Sequence, residues 1–305
     1  MICKCCRKEF KPKNPVHRLG IIDAESFGLV MQDKKYDLLV SDPPYGVSLA
    51  DKNQFLNAID EGNRVQTPIA GDHQTPEAMS LFWKTKFSAV RKFASPGAAY
   101  YVTGPQGGDL LLLLLLALRE SGFPLRHMLI WAKNNHVLGR CDYHYKHEPI
   151  IYGWVEGSHA FHGGHGETSL WEIDKPHTSE FHPTMKPIEL FARAIRNSTS
   201  PDQIIADPFI GSGTAMLAAE QLGRVCYSAD LDPAYAAVTL ERMTALGLRA
   251  VLDGTTMPAK AWKEHTGKRG APETANSRPS RPSKRNKAAQ DAQQPQAADS
   301  TSAVT

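Results

Sequence analysis

Short apolar runs alternate along this chain with stretches of helical spacing. The runs lie at 36–41 (YDLLVS), 98–103 (AAYYVT), 128–131 (MLIW), 149–154 (PIIYGW), 203–206 (QIIA) and 225–229 (VCYSA). Each reads as a strand. Helical patterns occupy 110–118, 188–197, 214–222 and 233–246. The alternation predicts an α/β domain with a mostly parallel sheet. In such sheets ligands sit beyond the carboxyl ends of the strands. The leucine-rich run at 110–118 has nine residues, far short of the ~20 that span a bilayer. It is expected to be a buried helix with Asp109 as its N-cap, and no membrane association is expected.

Two segments interrupt the pattern. Residues 47–72 are polar and weakly periodic, and residues 132–181 are rich in His, Gly and aromatic side chains; both are expected to close over a substrate. Residues 1–16 form a basic, cysteine-bearing arm. The domain proper is expected at 17–254, followed at 255–305 by a Pro-, Ser-, Ala- and Gln-rich basic tail with the composition of a disordered segment. The formal net charge is +3, and residues 258–305 carry nine Lys or Arg against four Asp or Glu. The basic excess therefore lies in the tail, and the charge of the body gives little support to a nucleic-acid partner. Five cysteines show no disulfide framework, and Met1 leads directly into Cys and Lys rather than a signal peptide. A reducing cytoplasm is the expected location.

The candidate chemistry sits at two strand ends. Asp42, Pro43, Pro44 and Tyr45 follow the run at 36–41. Consecutive prolines lock the turn and remove two backbone donors, leaving carbonyls free to accept. A carboxylate, a carbonyl edge and an aromatic ring suit a planar heterocycle with an exocyclic amino group. The second turn runs from Asp207 through Pro208, Phe209, Ile210, Gly211, Ser212 and Gly213 to Thr214. Its glycines allow backbone to approach a ligand closely. Asp230 ends the next strand, where an acidic residue can accept from ribose hydroxyls. The loop lacks the Gly-Lys-Ser/Thr of a P-loop and, with Met216 in the last position, the full dinucleotide pattern.

SDPPYG at 41–46, HPTMKP at 182–187 and DPFIGSGT at 207–214 together resemble the DNA amino-methyltransferases of the permuted β class. Further matching segments are IWAKN at 130–134, GRCDYH at 139–144, HEP at 147–149 and DLDPAY at 230–235. The resemblance covers about residues 17–245. It implies a Rossmann-like S-adenosylmethionine-dependent fold with permuted motif order and a small target-recognition insertion, placed in segments 47–72 and 132–181. It implies S-adenosylmethionine as cofactor, held by Asp207, Phe209, Gly211, Ser212, Gly213, Thr214 and Asp230, with Thr184 and Lys186 near its carboxylate. Two positions depart from the family: Asp230 stands where Glu is usual, and Met185 where Gln is common.

By the same resemblance the substrate is double-stranded DNA, and the reaction is methylation of the adenine N6 amino group. The target base would be flipped out of the stack onto Tyr45. Asp42 and the Pro43 carbonyl would accept its amino hydrogens. Cytosine-N4 methylation is the alternative, since its geometry is the same. A silent DNA-binding module of the same fold is a rival that intact Asp42, Tyr45, Gly211 and Gly213 argue against. RNA or a protein amide is a lower-ranked substrate. Cytosine-C5 methylation is excluded, because no Pro-Cys pair is present. Family members are often dimers, so a homodimer is an expected partner state, with a cognate restriction endonuclease a further expected partner.

Cys3, Cys5 and Cys6 with His17 raise a zinc reading, but the C-x-C-C spacing does not match the usual ligand pairs. His136, His144, His147, His159, His162 and His165 crowd the recognition segment, where base or phosphate contacts, or a plain polar loop, are favoured over metal ligation. No metal is expected. The tail offers either phosphate contacts or solubility.

Overall fold

The computed structural model describes residues 16–47, 54, 74–136, 142–174, 185–245, 250–252 and 255–256. Ten strands form one sheet: β1 (His17–Ile21), β2 (Tyr36–Ser41), β3 (Ala94–Thr103), β4 (His127–Ala132), β5 (His147–Trp154), β6 (Leu170–Glu172), β7 (Ile204–Asp207), β8 (Val225–Asp230), β9 (Ala250–Leu252) and β10 (Thr255–Thr256). Their order is β10-β9-β1-β8-β7-β2-β3-β5-β4-β6. β5 runs antiparallel to both β3 and β4, and β10 antiparallel to β9; the remaining pairs are parallel. The helices are α1 (Gly28–Met31), α2 (Pro76–Arg91), α3 (Gly108–Glu120), α4 (Ile188–Ser198), α5 (Thr214–Gln221) and α6 (Pro233–Ala245), with a 3-10 turn at Ala24–Ser26.

Both faces of the sheet are covered, which is why its strands read as continuous apolar runs. On one face α4, α5 and α6 set Phe191, Ile195, Met216 and Leu240 against Leu38, Val40 and Ile205. On the other α1, α2 and α3 set Met31, Trp83, Phe87 and Leu118 against Leu39, Tyr100 and Val102. Alternate residues of β2 thus feed opposite cores, as the two-residue period of a strand requires.

α3 departs from expectation. It is not buried all round: Leu114, Ala117 and Leu118 face the core, whereas Leu112 is 55% and Leu116 40% exposed. The N-cap position falls to Gly107, without a side-chain cap, and Asp109 lies in the first turn, where a carboxylate still favours the helix dipole. α2 was not anticipated, although Thr75 caps it through the Ala78 N–H and Pro76 opens it. β5 and β6 fall inside the 132–181 recognition segment, and β10 reaches two residues past the expected start of the tail. Apart from Val47 and Gln54, segment 47–72 lies outside the described residues, as do 1–15 and 257–305.

His17 is fully buried and tied at both ring nitrogens. Nδ1 accepts from the Cys226 N–H (3.0 Å), which makes Nε2 the protonated nitrogen donating to Glu220 Oε2 (2.7 Å). It is therefore not available as a fourth zinc ligand; Cys3, Cys5 and Cys6 lie outside the described residues. No helix among the described residues is long and apolar enough to cross a membrane.

Candidate active site

The polar groups of interest line one edge of the sheet. Following the order β8-β7-β2-β3-β5-β4, they are Asp230, Asp207, Asp42, Thr103, Glu148 and Lys133. Adjacent strands lie about 4.8 Å apart, so the register alone sets these groups side by side. β7 pairs with β8 on one side and β2 on the other. The two turns singled out in the sequence therefore leave neighbouring strands at the point where the winding of the sheet reverses, the usual place for a ligand crevice.

The turn after β2 is held from several directions. Trp83 Nε1 of α2 donates to the Pro44 carbonyl (2.9 Å). That carbonyl is thus not free, whereas no donor among the described residues reaches the Pro43 carbonyl. Asp42 Oδ1 accepts three bonds: from Thr103 Oγ1 (2.6 Å), Tyr45 Oη (2.8 Å) and Lys186 Nζ (2.8 Å). Oδ2 has no partner among the described residues. Two unspent acceptors, Asp42 Oδ2 and the Pro43 carbonyl, thus remain on one rigid turn.

Lys186 stands elsewhere than expected. Its ammonium bonds Asp42 and Glu148 Oε2 (3.1 Å) and reaches Tyr45 Oη (3.4 Å). Three donors meet three acceptors, leaving none for a cofactor carboxylate in this structure. Burial alone would lower its pKa, but the Asp42 and Glu148 charges raise it. Glu148 in turn accepts from Lys133 Nζ (2.5 Å). Burial would raise the Glu148 pKa; the ammoniums of Lys186 and Lys133 overcome it and hold the value at about 2. Burial, then the carboxylates of Asp42 and Glu148, push the Tyr45 phenol well up. The Lys186 ammonium also lies 5.3 Å from the Tyr45 ring centroid, so a base stacked on Tyr45 would use the other face.

The glycine turn serves two separate ends. Gly211 has φ +51°, and a methyl built there would meet nothing within 4 Å; its surface is open to a ligand. Gly213 has φ +82°, and a methyl there would lie 2.8 Å from Thr239 Cγ2. That glycine is required by packing against α6. The same helix clamps the turn: Thr239 Oγ1 donates to the Gly211 carbonyl (2.9 Å), and Arg242 Nη1 donates to the Ser212 carbonyl and lies 3.3 Å from Ser212 Oγ. Ser212 and Thr214 are buried, their hydroxyls 3.4 Å apart. Phe209 is partly exposed, its ring 6.0 Å from Phe82 and 6.3 Å from Phe87.

Asp230 Oδ2 accepts from Gly211 N (2.9 Å) and Oδ1 from Asp232 N (2.8 Å). Burial raises its pKa to about 6. Asp207 accepts from Phe209 N (3.1 Å); burial first, then the charges of Asp42 and Asp230, push it well up. That mutual influence joins the two turns. An edge with four acidic side chains, an open glycine backbone and two spare acceptors suits a cationic, ribose-bearing ligand beside an amino group. Thr184 lies outside the described residues. Among the described residues no cluster of three His, Cys, Asp or Glu side chains could hold a metal; His159 instead bonds Tyr152 Oη (3.0 Å) and stacks on Trp154.

The sequence reading assigned no role to Trp83, Thr103, Lys133, Glu148, Thr239 or Arg242. Glu148 and Lys133 lay in segments quoted for their resemblance, so a signal existed. Their contact became visible only when β4 and β5 paired Trp131 with Glu148.

Comparisons with known proteins place the chain in a family. The family model for N6/N4 methyltransferases, described as DNA methylase, matches residues 36–241. A Type II methyltransferase, M2.LlaDCHI of Lactococcus lactis subsp. cremoris, is 24% identical over 255 residues, 76% of this chain and 92% of that protein. The crystal structure of an M1.HpyAVI–SAM complex is similar in fold, with TM-score 0.54 and 20% identity over 74% of this chain and 100% of that one. The PvuII DNA methyltransferase, cytosine-N4-specific, is also similar, with TM-score 0.58 and 16% identity over 77% of this chain and 90% of that one.

Proposed function

The chain belongs to the DNA methylase family and is a DNA methyltransferase, and from that premise we propose that it transfers a methyl group from S-adenosylmethionine to the N6 amino group of adenine in double-stranded DNA. The observation that carries the reading is the pair of spare acceptors, Asp42 Oδ2 and the Pro43 carbonyl, on a turn whose other polar atoms are bonded. An exocyclic amino group offers two hydrogens to two such acceptors.

The residues at the glycine turn fit the cofactor. The open space over Gly211 admits it, and Asp230 is an acceptor at the end of β8. Asp207, Phe209, Ser212, Gly213 and Thr214 shape the turn, and Thr184 completes the proposed set. S-adenosylmethionine, when bound, supplies an electrophilic methyl group and leaves as a neutral thioether. Asp42 and Pro43 hold the amino group so that its nitrogen becomes more tetrahedral and its lone pair faces the methyl carbon. Once the N–C bond has formed, the cationic nitrogen gives up a proton, which Asp42 Oδ2 accepts and passes to water. Tyr45 supports the extruded base on its open face. Alignment of this kind contributes up to roughly 7–11 kcal/mol. A homodimer and a cognate restriction endonuclease belong to the same proposal, supported by the motif resemblance.

The test is transfer of labelled methyl from S-adenosylmethionine to duplex DNA, followed by digestion to nucleosides and mass analysis. N6-methyl-2′-deoxyadenosine is expected. N4-methylcytosine would transfer the reading to the other base. No label in DNA, with Asp42→Ala behaving as the parent, would overturn it.

A further inference from the structure

Asp42, Lys186, Glu148 and Lys133 form a line of alternating charge that ends on the carboxylate proposed to face the substrate. The distances along it are 2.8, 3.1 and 2.5 Å. Lys133 is 4% exposed and Glu148 8%. A buried chain of this kind is tolerated when every charge has a partner. Here two carboxylates balance two ammoniums, and Glu148 is the member that touches both lysines.

We infer that Glu148 is a positioning residue for methyl transfer: it holds the Lys186 ammonium on Asp42 Oδ1, which fixes the rotation of that carboxylate and leaves Oδ2 towards the amino group. The inference rests on the reading of Asp42 as acceptor. An Asp carboxylate turns easily about its terminal torsion, because that torsion is broad. Thr103 and Tyr45 also bond Oδ1, but both are neutral. Lys186 supplies the charge-assisted bond, which is the stronger kind. Its long side chain remains there because Glu148 Oε2 accepts a second hydrogen bond from it. Lys133, on Oε1, neutralises Glu148 from the far side. Without the Glu148 charge, two buried ammoniums would share one carboxylate, and Lys186 would lose its proton more readily or leave Asp42.

The experiment compares Glu148→Gln, Asp42→Asn and the charge-balanced double variant Lys133→Met/Glu148→Gln with the parent. Cofactor affinity, duplex affinity, kcat and the pH profile of kcat are measured in each. The titratable groups around Lys186 are Asp42 and Tyr45 from the turn after β2 and Glu148 from β5, with Lys133 behind it. Glu148→Gln should lower kcat between about tenfold and a hundredfold and leave both affinities within about twofold, the pattern of an interaction made only in the transition state. The alkaline limb of its kcat profile should move to lower pH, because Lys186 has lost one of the two charges that raise its pKa. The double variant restores neutrality, so it serves where the single variant does not fold; its kcat should stay depressed. Parental kcat and pH profile in either Glu148 variant overturn the inference. So does loss of cofactor and DNA binding in step with kcat, which marks a structural role. Parental turnover in Asp42→Asn overturns instead the reading on which the inference rests.

Discussion

Gly211 and Gly213 share one motif and answer to different constraints. Both hold positive φ, which disfavours any side chain by roughly 1–2 kcal/mol. Only Gly213 also faces a collision, with Thr239. Gly213→Ala should therefore lower the melting temperature, by roughly 1–3 kcal/mol of stability. Gly211→Ala should melt closer to the parent but bind S-adenosylmethionine more weakly, because its methyl enters the open space. Thermal melts and cofactor titration separate the two. Asp230 gives a pH dependence whose sign differs between binding and folding. Its folded pKa, about 6, lies above the ordinary 3.8, so the folded state takes up a proton first. Stability should rise as pH falls from neutral through 6 towards 4, and the gain is lost as pH rises again through 6. Cofactor affinity should move the other way, weakening about tenfold between pH 7 and 5 as the proposed ribose acceptor is neutralised. Calorimetric titration across that range checks it, and Asp230→Asn should give a flat profile. The sequence made these residues visible because turn chemistry is local. It left Lys186 near a cofactor carboxylate because its partners, Asp42 and Glu148, are 144 and 38 positions away, and pairing over such distances is decided by strand register.

Among the elements, α2 bears most directly on the turn that carries Asp42. Its Trp83 indole ends on the Pro44 carbonyl, anchoring the proline turn from the sheet face opposite α4, α5 and α6. Trp83→Phe keeps the ring in the core and removes the donor, leaving a carbonyl unpaired at about 1–3 kcal/mol. Turnover should fall more than cofactor affinity, since the glycine turn is held by α6. Steady-state kinetics alongside cofactor titration provide the check. The helix was readable in principle: Met79, Trp83, Phe87 and Val90 recur at helical spacing behind Thr75 and Pro76. Interspersed Lys, Thr and Ser masked the stripe. Strands β2, β3, β7 and β8 were legible because burial on both faces makes them uniformly apolar. β6, β9 and β10, at two or three residues, are too short to carry any period. In α3 nine apolar residues in a row hid which side faces the core, so the exposed Leu112 and Leu116 could not be foreseen.

At the scale of the molecule, chain order and spatial order diverge. The turn proposed for the substrate comes first in the chain and the one proposed for the cofactor last, yet β2 and β7 are neighbours. Charge is also divided, with the basic excess beyond residue 257. Ending the chain after Thr256 should lower non-specific duplex affinity and flatten its dependence on salt, with methyl transfer retained at saturating DNA. Filter binding over a salt series, with transfer assays, checks both. A further consequence follows from His17, whose two bonds reach positions 203 and 209 residues later. β1 leaves the ribosome first and finds its slot only after β8 has been made, a wait on the order of ten seconds or more at translation speeds of about 5–20 residues per second. The turn bearing Asp42 draws on Thr103, Glu148 and Lys186, all made before β8, but the Gly211 backbone is not yet clamped by α6. A chain released before α6 is made therefore carries the turn proposed to face the base beside an unclamped glycine turn, and is expected to leave DNA unmethylated.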